Sequence, residues 1–166
     1  MNNIYIVNIF RFLFLLFVQG LVLQFIGFKN IQIYIYPIFI MLLPLEITHG
    51  ILVLLGFLMG LGIDVFYNGY GLHTAVMTLL AFSRPLICVL LEPRGGFEVG
   101  QSLNKHSLGF RWFFRYSSII TLLHISLISI LGELKISWFI LASIVLGYIF
   151  SMILILLYQF IFNPKV

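Results

Sequence analysis

Charge is the scarcest property of this chain. Lys, Arg, Asp and Glu together make up 8% of its 166 residues, against 62% hydrophobic residues, whereas a soluble domain carries about 25% charged residues. With a mean hydropathy of +1.16, that shortage excludes a soluble globular domain and points to an integral membrane protein. Cysteine is almost missing as well. Cys88 stands alone inside an apolar segment, so an intramolecular disulfide, a CxxC metal site and a redox pair are all excluded, and the residue is read as packing. Histidine is dispersed: His49, His73, His106 and His124 lack the spacing of HExxH. No GxSxG elbow and no Walker A sequence occur, "GLGIDV" breaks GxGxxG at Val65, and Asp64 has no second carboxylate in its own or the adjacent span to form a dyad. The expectation is a protein that is not an enzyme and takes no metal or cofactor. The net charge of +4 comes from cations scattered through apolar sequence, not gathered into a basic footprint. Nucleic acid is therefore not an expected partner.

What the chain has in quantity is apolar sequence in long runs. A bilayer core about 30 Å thick takes about 20 apolar residues per helix. Breaks at Gly, Pro, Asn and charged residues divide the chain into six apolar segments, 4–28, 31–45, 49–67, 72–91, 117–131 and 137–162. The expected fold is an all-α integral membrane protein, one polytopic domain over 1–166 with about six transmembrane helices. Segment 31–45, "IQIYIYPIFIMLLPL", is short and carries Pro37 and Pro44. It is read as kinked or incompletely spanning, with Tyr34 and Tyr36 assigned to an interfacial aromatic belt. The run "FLFLLFVQGLVLQF" after Arg11 has no A-x-A-like cleavage site and is read as a retained first span. Neither end shows a lipidation motif.

Six spans put the 92–116 loop and both termini on one side. That side holds Arg94, Lys105, Arg111, Arg115 and Lys165, against Lys29 and Lys135 on the other, so the positive-inside rule places both termini in the cytoplasm. The 92–116 loop is the only sizeable one. Its last part sets Arg111 and Arg115 four residues apart among Phe110, Phe113 and Phe114, the pattern of an interfacial helix. Arg94, Arg111 and Arg115 are read as contacts to the membrane surface or to a cytoplasmic partner.

At about 100° per residue, polar and small residues fall into stripes: Asn8, Arg11 and Gln19; His49, Gly56, Gly60 and Asp64; Thr74, Thr78, Ala81 and Pro85 beside Arg84; Ser117, Thr121 and His124; Ser143, Gly147 and Ser151. Small residues at such spacing let membrane helices approach closely. Ionisable residues inside a span are stronger signals, since charge in hydrocarbon is costly. Arg11 and Arg84 lie at similar depth, which fits an inner site for anions or lipid headgroups, or snorkelling toward the interface. Asp64 ends the third span, and His73 opens the fourth across the turn "YNGYG". Their depths allow contact, whereas Arg84 is about 15 Å deeper at 1.5 Å per residue. Asp64 is thus expected to anchor the corner through turn backbone or His73, with Gly56 and Gly60 admitting a close neighbouring helix.

The stretch "LVLLGFLMGLGIDVFYNGYGLHTAVMTLLAFSRPLI" resembles the MreD family of small polytopic proteins from the bacterial rod-shape and cell-elongation machinery. Gly56, Gly60, Asp64, Gly71 and Leu72 carry the resemblance, which covers about a fifth of the chain. "SRPL" at 83–86 and "PRGGFE" at 93–98 are similar to one branch of that family. The resemblance implies a non-catalytic scaffold subunit in the bacterial inner membrane. Such a subunit binds the bitopic protein MreC and couples MreB filaments to the polymerase RodA and its class B transpeptidase. In fold the family is similar to the S-components of energy-coupling-factor vitamin transporters, so a substrate-binding S-component is the alternative function. The first span lacks the AxxxA-like pair with which an S-component docks, and the outward turns offer few ligand contacts: Lys29, Asn30, Asn68, Tyr70, His73, Glu133 and Lys135.

Overall fold

Long apolar runs in this chain become long helices. The computed structural model describes residues 2–26, 32–133 and 138–162; Lys29, Asn30, Lys135 and Lys165 of the sequence reading lie outside them. Helix α1 (Asn2–Phe17) continues through a π turn (Val18–Val22) and a 3-10 turn to Phe25, and α2 is a single turn (Ile38–Met41). Then follow α3 (His49–Tyr67), α4 (Leu72–Leu90), α5 (Phe110–Glu133) and α6 (Trp138–Phe162). Five helices, α1 with its extension and α3 to α6, are long and apolar enough to cross a membrane.

Polarity is inverted relative to a soluble protein. Phe10, Phe25, Val65, Phe82, Leu90, Trp138 and Ile161 are all more than half exposed, while Gln19, Asp64, His73, Arg84, Ser117, Thr121, His124, Ser151 and Gln159 are buried. An exposed apolar surface of that extent belongs against lipid, and polar side chains turn inward to find partners.

The bundle has two distinct ends. The turn end holds Asn68–Gly71 between α3 and α4, and the loop end holds residues 91–109 between α4 and α5. Helices α1 and α3 run parallel, since Gly62 lies against Leu16 and Gly20 against the Phe66 ring. The chain must therefore return from the turn end to the loop end between them, and residues 32–48 do so. This crossover segment is extended at 32–35, turns at Tyr36–Pro37, makes the single turn α2 and finishes in turns up to Thr48. The second apolar segment is thereby the incompletely spanning one, with a single helical turn where a sixth span was expected. "IQIYIYP" alternates in a strand's period, Pro37 disfavours helix in the residue before it, and only Ile38–Met41 close a helical turn. The aromatic-belt assignment is corrected with it, because Tyr34 and Tyr36 are 2% and 0% exposed. Irregular backbone at membrane depth survives only where protein surrounds it, and Tyr34 to Met41 are all buried.

The loop end also differs from expectation. Helix α5 begins at Phe110 and runs unbroken to Glu133, so the anticipated interfacial helix is its first two turns. The 91–109 loop is tied to the bundle by Leu103, 1% exposed, by Trp112 Nε1 donating to the Leu91 carbonyl at 2.6 Å, and by the Gly100 N–H donating to Glu46 at 2.7 Å.

Candidate functional site

Asp64 lies in the last turn of α3, in a corner shaped by its neighbours' backbone. Asn68 takes a left-handed conformation (φ 50°), which lets the Gly69 N–H reach the Asp64 carbonyl at 3.1 Å, closing the helix as a Schellman motif does. Gly71, at φ 91°, occupies a conformation that costs glycine nothing and starts α4. The first N–H groups of any helix lack intrahelical acceptors, and here the acceptor comes from the preceding helix. Asp64 Oδ1 accepts from the His73 N–H at 3.1 Å, and Oδ2 accepts from the Thr74 N–H at 2.8 Å and the Thr74 hydroxyl at 2.5 Å. The carboxylate thus sits on the positive end of the α4 dipole, where an anion is stabilised.

The glycines bring the two helices into register for that cap. A Cβ on Gly60 would lie 2.5 Å from the His73 carbonyl oxygen and from Thr74 Cα, and one on Gly56 would lie 2.7 Å from Ala81 Cβ. No side chain fits at either place without moving backbone or core, and Gly69 is pressed onto the Asp64 carboxylate in the same way. Gly56, Gly60, Asp64, Gly71 and the His73 backbone therefore form one unit.

The His73 imidazole makes its hydrogen bond not to Asp64 but to the crossover segment. Its Nδ1 lies 2.8 Å from the Tyr36 hydroxyl, which lies 2.7 Å from Nε2 of His124 on α5. Tyr34, two residues from Tyr36 on the same face of the extended stretch, packs edge-on against both imidazoles at 5.8 and 5.1 Å. Above them the Gln19 amide serves the edge of that stretch as a neighbouring strand would. Its Nε2 donates to the Ile33 carbonyl at 3.0 Å and to the Tyr67 hydroxyl at 2.6 Å, and its Oε1 accepts from the Ile35 N–H at 2.9 Å. From the other side the Tyr34 N–H donates to the Ser151 hydroxyl at 2.8 Å. A π turn at 18–22 gives Gln19 this placement, and such turns recur at functional sites.

Arg84 and Arg11 serve the other end of the same segment. Arg84, 2% exposed, donates through Nε to the Tyr116 hydroxyl at 3.0 Å and through its other nitrogens to the Leu43 and Pro44 carbonyls. Tyr116 in turn donates to the Met41 carbonyl at 3.2 Å. Arg11 donates to Asn8 at 2.9 Å and to the Leu42 carbonyl at 3.3 Å. The two guanidiniums thus serve successive carbonyls left open by the end of α2. Arg94, Arg111 and Arg115 are all exposed at the loop end.

No protein-family model, no curated protein and no solved structure matches the chain.

A cavity of about 340 Å³ opens beside the aromatic cluster at the turn end, lined by Gln32, Tyr34, Tyr67, His73, Ser129 and Ser143 among others. A second, of about 300 Å³, lies at the loop end between Asn8, Arg11, Glu46 and Gln101. Sequence reasoning placed Gln19 and His124 on polar stripes without assigning them a partner. It gave no site role to Tyr34, Tyr36, Tyr67, Thr74 or Tyr116. The strand-period tyrosines before Pro37 were the available signal.

Proposed function

We propose that the chain is a non-catalytic scaffold subunit of the bacterial rod-shape and cell-elongation machinery, seated in the inner membrane as members of the MreD family are. It binds MreC and couples MreB filaments to RodA and the class B transpeptidase. The observation that carries this reading is the coincidence of the family-like residues with one rigid corner. Gly56 and Gly60 close the α3–α4 contact, Asp64 caps α4, Gly71 begins it, and Leu72 donates its N–H to the Gly69 carbonyl at 2.9 Å. Tyr70 at the tip is fully exposed and holds a positive φ of 47°, a conformation uncommon for a bulky residue, and it presents an aromatic ring to a partner's membrane stem. With the crossover segment as a sixth passage, the start of α1 and the end of α6 share the loop end. The exposed Arg94, Arg111 and Arg115 support a cytoplasmic position for that end.

Copurification with MreC from detergent tests the corner. Tyr70→Ala should lower partner recovery with the protein level unchanged, while Asp64→Asn should lower both by loosening the cap. Full recovery from all three of Tyr70→Ala, Asp64→Asn and Gly60→Leu at normal protein levels would remove the hairpin from the interface.

The turn-end cavity favours one other reading, the S-component of an energy-coupling-factor transporter, since it gathers hydroxyl, amide and aromatic groups in a concave site. Depletion in the native bacterium separates the two. Cell rounding supports the scaffold, and a vitamin requirement supports the transporter subunit.

A further inference from the structure

A chain of hydrogen bonds ends on His73 in the wall of the turn-end cavity, and the direction of that chain follows from one orphaned atom. His124 is fully buried, and its Nδ1 has no hydrogen-bond partner among the described residues. In the neutral imidazole one nitrogen carries a proton and the other does not. A proton on Nδ1 would make a buried donor without an acceptor, and orphaned donors are rarer than under-used acceptors. The proton therefore belongs on Nε2, which donates to the Tyr36 oxygen at 2.7 Å. Tyr36 has a single proton, and with its oxygen accepting from His124 it donates to His73 Nδ1 at 2.8 Å. That leaves His73 protonated on Nε2, its one remaining hydrogen-bonding atom, on a ring that lines the cavity.

We infer that this cavity binds an uncharged small molecule with a planar apolar body and a carbonyl-type acceptor, received by His73 Nε2–H. The volume of about 340 Å³ lies within the range of small-molecule sites. Tyr34 and Tyr67 supply ring surface, Ile125 and Ile128 supply apolar wall, and Ser129 adds a hydroxyl. No Lys, Arg, Asp or Glu lines the cavity among the described residues. The nearby carboxylate of Asp64, against which Gly69 of the cavity wall is packed, disfavours an anion. The inference rests on the cavity, not on the scaffold assignment, and partner recovery or cell shape has no bearing on it.

Benzamide, neutral with one carbonyl, is the probe, and benzoate is its charged counterpart. Each is titrated into the full chain, labelled with 15N-histidine, in nanodiscs of phosphatidylethanolamine and phosphatidylglycerol. Both His73 and His124 should give the Nε2-protonated signature, and benzamide should shift the His73 Nε2 signal saturably at millimolar concentration. Benzoate should bind about tenfold more weakly or worse. His73→Phe, which keeps the ring and loses the donor, should weaken benzamide about tenfold, as loss of one buried hydrogen bond does. Ser129→Leu, which fills the cavity without touching the Tyr36 chain, should weaken it as well. A His73 protonated on Nδ1, an unsaturable benzamide response, or benzoate bound as tightly as benzamide overturns the inference, and all three are read on the unaltered protein.

Discussion

The α3–α4 hairpin and the crossover segment 32–48 lie side by side in the bundle and satisfy their backbones by opposite means. In the hairpin nearly every N–H and C=O is paired within its own helix, so its backbone asks two things of the side chains. Glycines let the helices touch, and Asp64 caps the exposed N–H groups of α4. In the crossover segment the backbone has few internal partners, and other helices lend side chains to it: Gln19 and Ser151 at the turn end, Tyr116, Arg84 and Arg11 at the loop end. The difference teaches what buried polar residues are for in this chain. Each of these five serves the irregular crossover segment, the conspicuous buried Arg84 among them.

The comparison breaks most sharply at Arg84. Arg84→Met leaves the Leu43 and Pro44 carbonyls and the Tyr116 hydroxyl without their donor, and each buried unsatisfied group costs about 1–3 kcal/mol. A loss of about 3 kcal/mol or more is expected in unfolding by SDS titration from mixed micelles. Arg84→Lys should recover only part of it, because a point charge cannot replace a planar fork reaching several acceptors. Equal stability of Arg84→Met and the natural protein would mean that the segment does not depend on its borrowed donors.

Gly60→Ala tests the hairpin's side of the comparison. The added methyl meets backbone at 2.5 Å, and forcing helices apart around one extra carbon costs about 1–3 kcal/mol. The same unfolding assay should show that loss, and a combined Gly60→Ala, Arg84→Met protein should lose the sum to within about 0.5 kcal/mol, since the two sites share no partner. Strong non-additivity would show that hairpin and crossover act as one element.

The hairpin was legible in the sequence because its determinants are local. Gly56, Gly60, Asp64 and Gly71 fall at helical spacing around a turn, and counting depths along two helices is enough to bring Asp64 to the start of α4. Six apolar segments were legible for the same reason, and five of them are the long helices. The crossover segment resisted because its partners are remote: Ser151 is 117 residues from Tyr34 and Tyr116 is 75 from Met41. Composition marked 31–45 as a span, while its alternation of Ile with Gln and Tyr before Pro37 marked it as extended. Hydropathy alone cannot choose between them. Arg84 illustrates the same limit, for depth suggested an anion or a snorkel, and only the fold brings it to the Leu43 and Pro44 carbonyls.

Tyr36→Phe is the smallest change and sharpens the comparison most. It removes one oxygen from the turn-end chain that joins hairpin, crossover and α5, His73 to Tyr36 to His124, the counterpart of the loop-end chain from Arg84 through Tyr116 to Met41. The ring and its edge-on packing against both imidazoles stay, so core volume is conserved. Polar contacts between membrane helices are worth about 0.6 kcal/mol on average and about 1.7 at most, and a stability loss of about 1 kcal/mol is expected. The histidine 15N spectrum should change more than the stability does. Without the hydroxyl, His73 Nδ1 loses its donor and His124 Nε2 its acceptor, so both resonances should move although the substitution touches neither residue. If only one moved, Tyr36 would belong to a single imidazole, and the crossover would pack against the hairpin without being wired through it to α5.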